Sequence, residues 1–134
     1  MSLYTEITIL AQIYGDSAKE NRLDELNIPK HVVDTLELES GGRLSLAASA
    51  SDIEFEFQSV TNGQLLVLKS ASEFTVKING IGNPALTLMP QTNTEDNTVT
   101  PAFLVLLGSG ITSLHFGNPS ISDAITIDVA IAGV

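Results

Sequence analysis

This chain of 134 residues predicts an all-β fold: an antiparallel β-sandwich or jelly roll with an N-terminal arm and one short helix. Three observations carry that expectation. Apolar and polar residues alternate with a period of two in several short runs, such as Phe74-Thr75-Val76-Lys77-Ile78. Gly, Asn and Pro cut the text between those runs at intervals of about ten residues. Long amphipathic stretches that would serve as crossover helices are missing, which disfavours a parallel sheet.

The elements follow in order. Leu3, Thr5, Ile7, Ile9, Ala11 and Ile13 alternate as a strand does, while Ile7, Leu10, Ala11, Tyr14 and Ala18 fit a helical stripe equally well. The density of β-branched residues and the stop at Gly15-Asp16 favour a strand. Asp16 then reads as the N-cap of a short helix over Ser17 to Leu26, which Pro29 ends. Its apolar stripe is thin, so residues 1–29 are expected to form an arm and short helix that finds cover on a neighbouring subunit or on its own chain. Residues 30–134 form the β-sandwich domain.

Within that domain Leu36 and Leu38 alternate with glutamates, and Ser40-Gly41-Gly42 turns the chain towards Leu44 and Leu46. Ile53, Phe55 and Phe57 alternate with Glu54, Glu56 and Gln58 and read as a strand buried on one face. Asn62-Gly63 is a hairpin signal joining that strand to Leu65-Leu66-Val67-Leu68. Asn79-Gly80 turns the chain again after Ile78, and residues 90–101 form a polar loop. Phe103 to Leu107, a Gly108-Ser109-Gly110 break, Ile111 to Phe116 and a last strand through Ile125, Ile127, Val129 and Ile131 complete seven to nine strands. The expected core comprises Ile53, Phe55, Phe57, Phe74, Val76, Ile78, Leu114, Phe116, Ile127 and Val129.

Composition narrows the function. Sixteen acidic residues stand against six basic ones, for a net charge of −10, and no Lys or Arg occurs from Ile78 to Val134. Such a surface repels phosphate backbones and anionic lipid, so neither nucleic acid nor membrane is an expected partner. Cysteine is absent, which removes disulfides, thiolate zinc sites and thiol catalysis. Tryptophan is absent too, and rings make up only 5% of the chain, poor material for a sugar- or base-stacking platform. The opening residues lack a signal peptide's basic start and apolar core, and no apolar run is long enough for a membrane span.

Candidate chemistry is sparse. His31 and His115 are the only histidines, and neither has a second His or Cys nearby for a metal set; His115 is expected to face solvent or a partner. Glu54 and Glu56 lie on one strand face, whereas paired acid–base work needs two environments across a cleft. Glu95-Asp96-Asn97 offers fewer oxygens than calcium requires. Gly80-Ile81-Gly82 lacks a third glycine and a following helix, and Gly108-Ser109-Gly110 is no nucleophile elbow. The expectation is therefore no catalytic, cofactor-binding or metal-binding residues, and no enzyme.

A set of phrases carries a resemblance. They are Gly63-Gln64-Leu65-Leu66-Val67-Leu68, Thr75-Val76-Lys77-Ile78-Asn79-Gly80, Ile111-Thr112-Ser113-Leu114, and Asn118-Pro119-Ser120 leading into Val129-Ala130-Ile131-Ala132-Gly133. Across roughly the last 100 residues the chain resembles small virion structural proteins of tailed bacteriophages, β-sandwich subunits that sit on a capsid or tail. The resemblance implies a homo-oligomeric, non-enzymatic subunit, first of all a capsid decoration (cement) protein, made in the host cytoplasm and carried in the virion beside other capsid or tail proteins. The alternatives are a tail, neck or fibre-associated subunit and a lectin-like ligand-binding sandwich.

Overall fold

The computed structural model describes the backbone of residues 3–14, 19, 22–36 and 38–134, and the side chains of residues 12, 19 and 41–134. Among the described residues the chain forms twelve β-strands and no helix, and every strand pairing is antiparallel. It divides into two compact units, Met1–Leu36 and Glu37–Val134.

The first unit is a two-stranded sheet of β1 (Leu3–Tyr14) and β2 (Arg22–Leu36). The strand reading of residues 3–13 agrees with β1. The expected helix does not form at residues 22–26: they lie in β2, with Leu26 opposite Ala11, Asp24 opposite Ile13 and Arg22 opposite Tyr14. Helix propensity is a weak preference, and the long β1 ladder overrides it. Residues 17, 18, 20 and 21 of that expected helix lie outside the described residues. Pro29 does not end an element either. The ladder steps from Ile7↔His31 to Ile9↔Ile28, so β2 carries an extra residue around Pro29-Lys30. A bulge is a place where a strand tolerates a residue without an N–H. With β2 running through Pro29, the units divide at Leu36/Glu37 instead of 29/30.

The second unit contains β3 (Leu38–Leu46), β4 (Ile53–Glu54), β5 (Gly63–Ser70), β6 (Phe74–Ile78), β7 (Leu86–Leu88), β8 (Gln91–Thr92), β9 (Val99–Thr100), β10 (Ala102–Ile111), β11 (Leu114–Gly117) and β12 (Ile125–Gly133). Two four-stranded sheets have the orders β10-β5-β12-β3 and β4-β11-β6-β7, and β8 with β9 makes a small hairpin in the stretch expected to be a polar loop. The pairing is nested. β3 pairs with β12, β4 with β11, β5 with β10 and β6 with β7.

Both sheets feed one core. Leu66 and Leu68 of β5 and Ile127 and Ile131 of β12 join Phe74 and Val76 of β6 and Leu114 and Phe116 of β11 in a single buried cluster. The Phe74 and Phe116 rings lie 6.2 Å apart and tilted, a favourable aromatic geometry. Along β12 inward and outward positions alternate strictly from Ile125 to Val129, as its period of two demands.

Three expectations need correction. Residues 53–57 do not form one strand. β4 stops at Glu54, Ile53 is 39% exposed, Phe55 and Ile78 are only partly buried, and Phe57 alone of the run enters the core. Left-handed backbone at Asp52 and Gln58 brackets the run and breaks its alternation. Asn62-Gly63 is not a hairpin turn between neighbouring strands, because nested pairing puts β4 and β5 in different sheets. Gly63 matters for space: a Cβ there would fall 2.5 Å from Ile131 Cδ1. Finally, Gly108-Ser109-Gly110 does not break a strand but bulges within β10, where Leu107 pairs with Leu65 and Ile111 with Gly63.

Candidate functional site

The side chains that stand out lie on the outer face of the first sheet and along its β10 edge. β10 begins Ala102-Phe103-Leu104-Val105-Leu106-Leu107, apolar on both faces. Leu104 and Leu106 pack against the core, whereas Phe103 (60%), Val105 (37%) and Leu107 (46%) face outward and stay exposed. Val105 is directly opposite Val67 of β5, which is exposed as well. A contiguous exposed apolar patch of this kind marks a contact surface more often than a scattered hydrophobic residue does.

Two asparagines hold the end of that strand. Asn62 Oδ1 accepts the Gly110 N–H at 2.7 Å, and Asn79 Nδ2 donates to the Gly110 carbonyl at 2.7 Å. Asn79 Oδ1 also accepts the Thr112 N–H at 2.7 Å. Gly110 has φ +86°, a conformation that favours glycine. Both asparagines belong to the Asn-Gly pairs singled out from sequence. Asn79 (φ 63°) does lie in the turn after β6, and both side chains bind β10 at long range.

At the other end of the face a charged row crosses the sheet. Asp128 of β12 is cross-strand partner to both Arg43 of β3 and Lys69 of β5, and Arg43 Nε donates to Asp128 Oδ1 at 2.9 Å. Arg43, Lys69, Ser70, Pro101, Thr126 and Asp128 border a groove of about 570 Å³. Its polar groups are paired or solvent-facing, and none of its lining residues is aromatic.

The residues weighed for chemistry are not drawn into one site. His115 of β11 is half-buried between its cross-strand partners Glu54 and Lys77, with Nδ1 buried and without a hydrogen-bond partner. It thus lies within an outer sheet face, less open to solvent than the sequence implies. Lys77 Nζ donates to Asp52 Oδ1 at 2.8 Å, and that hydrogen bond first of all holds the Asp52 carboxyl below its ordinary range. Glu54 and Glu56 are both exposed. Asp96 Oδ1 accepts from the Thr98 N–H at 3.0 Å and from Thr98 Oγ1 at 2.7 Å; these bonds lower its pKa and spend the carboxylate on the β8–β9 turn. Glu95 and Asn97 beside it are exposed, and Asn97 is left-handed (φ 57°). Among the described residues no three His, Asp or Glu side chains gather to hold a metal ion. His31 lies on β2 opposite Ile7, and its side chain is outside the described residues.

Neither a protein-family model nor a curated protein nor a solved structure matches the chain. Among the described residues no helix is long and apolar enough to cross a membrane.

Sequence reasoning overlooked the outward row of β10. Its signal was present: Phe103 to Leu107 does not alternate, so a one-sided strand has to leave apolar groups on the wrong face. The neighbouring text carries a second signal, since no Asp, Glu, Lys or Arg occurs between Asp96 and Asp123.

Proposed function

We propose that this chain is a non-enzymatic structural subunit of a tailed-phage virion, most specifically a capsid decoration protein that acts through multi-copy contacts. The observation that supports this reading is the strand order. Eight strands pair first with last, β3·β12, β4·β11, β5·β10 and β6·β7, and fall into sheets ordered β10-β5-β12-β3 and β4-β11-β6-β7. That order supports reading the domain as an eight-stranded jelly roll, a ladder of hairpins rolled into a two-layer sandwich, with the β8–β9 hairpin as an insertion. Jelly rolls serve as capsid domains, lectins and cupins. A cupin site needs clustered metal ligands, and a lectin site gains from ring platforms. Among the described residues no three metal-ligating side chains gather and the groove beside Asp128 has no aromatic lining, and an acidic domain with an exposed apolar strand suits assembly better.

The N-terminal unit fits the same reading. A two-stranded sheet is marginal by itself and needs a surface to cover it. We read Met1–Leu36 as an arm that docks on a neighbouring subunit, replacing the shorter arm of residues 1–29.

The experiment is sedimentation of lysates from phage-producing cells that make the chain, followed by mass spectrometry across the gradient. The reading expects the chain in the particle fraction at a fixed ratio to the shell protein. Deleting residues 1–36 should release it as a folded domain. Recovery of the full chain only as free protein overturns the reading. Immunogold label on tails instead of shells favours the tail or fibre subunit, and specific binding on a glycan array favours the lectin-like module.

A further inference from the structure

We propose that two copies of this chain join antiparallel along β10, edge to edge, so that their first sheets continue into one another. The proposal rests on the assembly reading above and names one contact within it.

Among the described residues the two large sheets present four edge strands: β10 and β3 in the first, β4 and β7 in the second. Open edges are usually blunted by shortness, charge or proline. β4 and β7 are two and three residues long. β3 carries Glu39 and Arg43. β10 has ten residues, no charge and no proline, for Pro101 precedes it. Its bulge is confined to Gly108–Gly110, and Ala102 to Leu107 stay in unbroken register with β5. The far side of that segment is a ready template for another strand.

Charge identifies the occupant as a second copy. At a net charge of −10, two copies repel each other across most of their surfaces. The stretch from Asn97 to Ser122 contains no Asp, Glu, Lys or Arg, and β10 lies inside it. It is the longest run of the chain without Asp, Glu, Lys or Arg, so a second copy would meet it without like-charge contact. A basic partner would gain more on the acidic surfaces elsewhere. The side-chain order is also self-complementary. A two-fold axis at Val105 puts Phe103 opposite Leu107 of the second copy and Leu104 opposite its Leu106. Exposed apolar groups therefore meet exposed apolar groups on one face, and core-facing leucines meet on the other.

The chain has no cysteine, so single thiols report the contact cleanly. In Val105→Cys the two thiols would face each other across the axis, at a separation a disulfide spans. Ile121→Cys, at a position 88% exposed outside any strand, is the control. Under mild oxidation the full chain should form a linked dimer with Val105→Cys far in excess of Ile121→Cys. In sedimentation equilibrium Val105→Lys should weaken the wild-type dimer by about tenfold or more, because like charges oppose each other at the axis. Its far-UV circular dichroism spectrum should stay that of the wild type, since Val105 lies on the exposed face. Equal cross-linking of the two cysteine variants, with an undisturbed Val105→Lys dimer, overturns the β10 contact and leaves the assembly reading standing. A wild-type chain that stays monomeric also overturns the contact; the assembly reading falls separately, on the particle fraction.

Discussion

Asn118 donates from Nδ2 to the carbonyl of Asp123 at 2.8 Å and so ties the loop between β11 and β12 back on itself. The same Nδ2 donates to the Ala47 carbonyl at 3.0 Å, Oδ1 accepts the Ser120 N–H at 3.0 Å, and the Asn118 backbone N–H donates to the Ala50 carbonyl at 2.8 Å. One buried amide therefore joins the segment after β3 to the segment before β12. Replacing it strands several backbone groups at once. Asn118→Ala is expected to cost about 1–3 kcal/mol in urea unfolding. Asn118→Asp should cost more, since a carboxylate would face carbonyl oxygens.

Burial ranks the phenylalanines. Phe116 is fully buried against Phe74, whereas Phe55 is only partly buried at the cluster's margin. Phe116→Ala is expected to cost about 3–5 kcal/mol, as truncation of a buried ring does. Phe55→Ala should cost clearly less. Denaturant midpoints at equal m-value give the comparison; equal losses would contradict the burial order.

Asp52 supplies a pH dependence. The hydrogen bond from Lys77 lowers its carboxyl pKa, so the folded state binds that proton less readily than the unfolded state does. Its contribution is fully present above the unfolded value of about 3.9 and is lost as pH falls through the lowered folded value. Asp52→Asn should thus lower the thermal midpoint slightly near neutral pH and bring it level with wild type in strong acid. A gap that persists unchanged into strong acid would assign the effect to packing.

Glycines differ in what surrounds them. A Cβ on Gly133 would collide with the Asn62 carbonyl, which is backbone, whereas one on Gly63 meets the flexible end of Ile131. Gly133→Ala should therefore destabilise more than Gly63→Ala, by about 1–3 kcal/mol against a smaller loss. Thermal unfolding of the two variants tests the order.

The sequence was most legible where a strand has one wet face and one dry face. β6, β11 and β12 alternate cleanly, and Phe74, Val76, Leu114, Phe116, Ile127 and Val129 are buried as their spacing implies. It was least legible where long-range pairing overrode local preference. Residues 22–26 have helix-forming side chains yet lie in β2, because β1 offers a partner that a short helix with a thin apolar stripe does not have. Asn62-Gly63 has the chemistry of a hairpin turn, but nested pairing gives β5 distant neighbours, and Asn62 serves β10 instead. The exposed row of β10 escaped because leucine and valine runs look alike whether a sheet covers them or solvent does.

β12 comes last of the strands in sequence and lies inside its sheet, between β3 and β5. Order of synthesis and order in space therefore conflict. While Ile125–Gly133 are still unmade, β5 can pair only with β10, and β3 has nothing to pair with. The joining step brings β3 to β12 across most of the domain, a closure with a high entropic cost and a slow rate. A ribosome must deliver nearly the whole domain before its first sheet can close. Until then the newborn chain carries the open edges of β3 and β5, which is when those edges are most exposed to pairing with another chain.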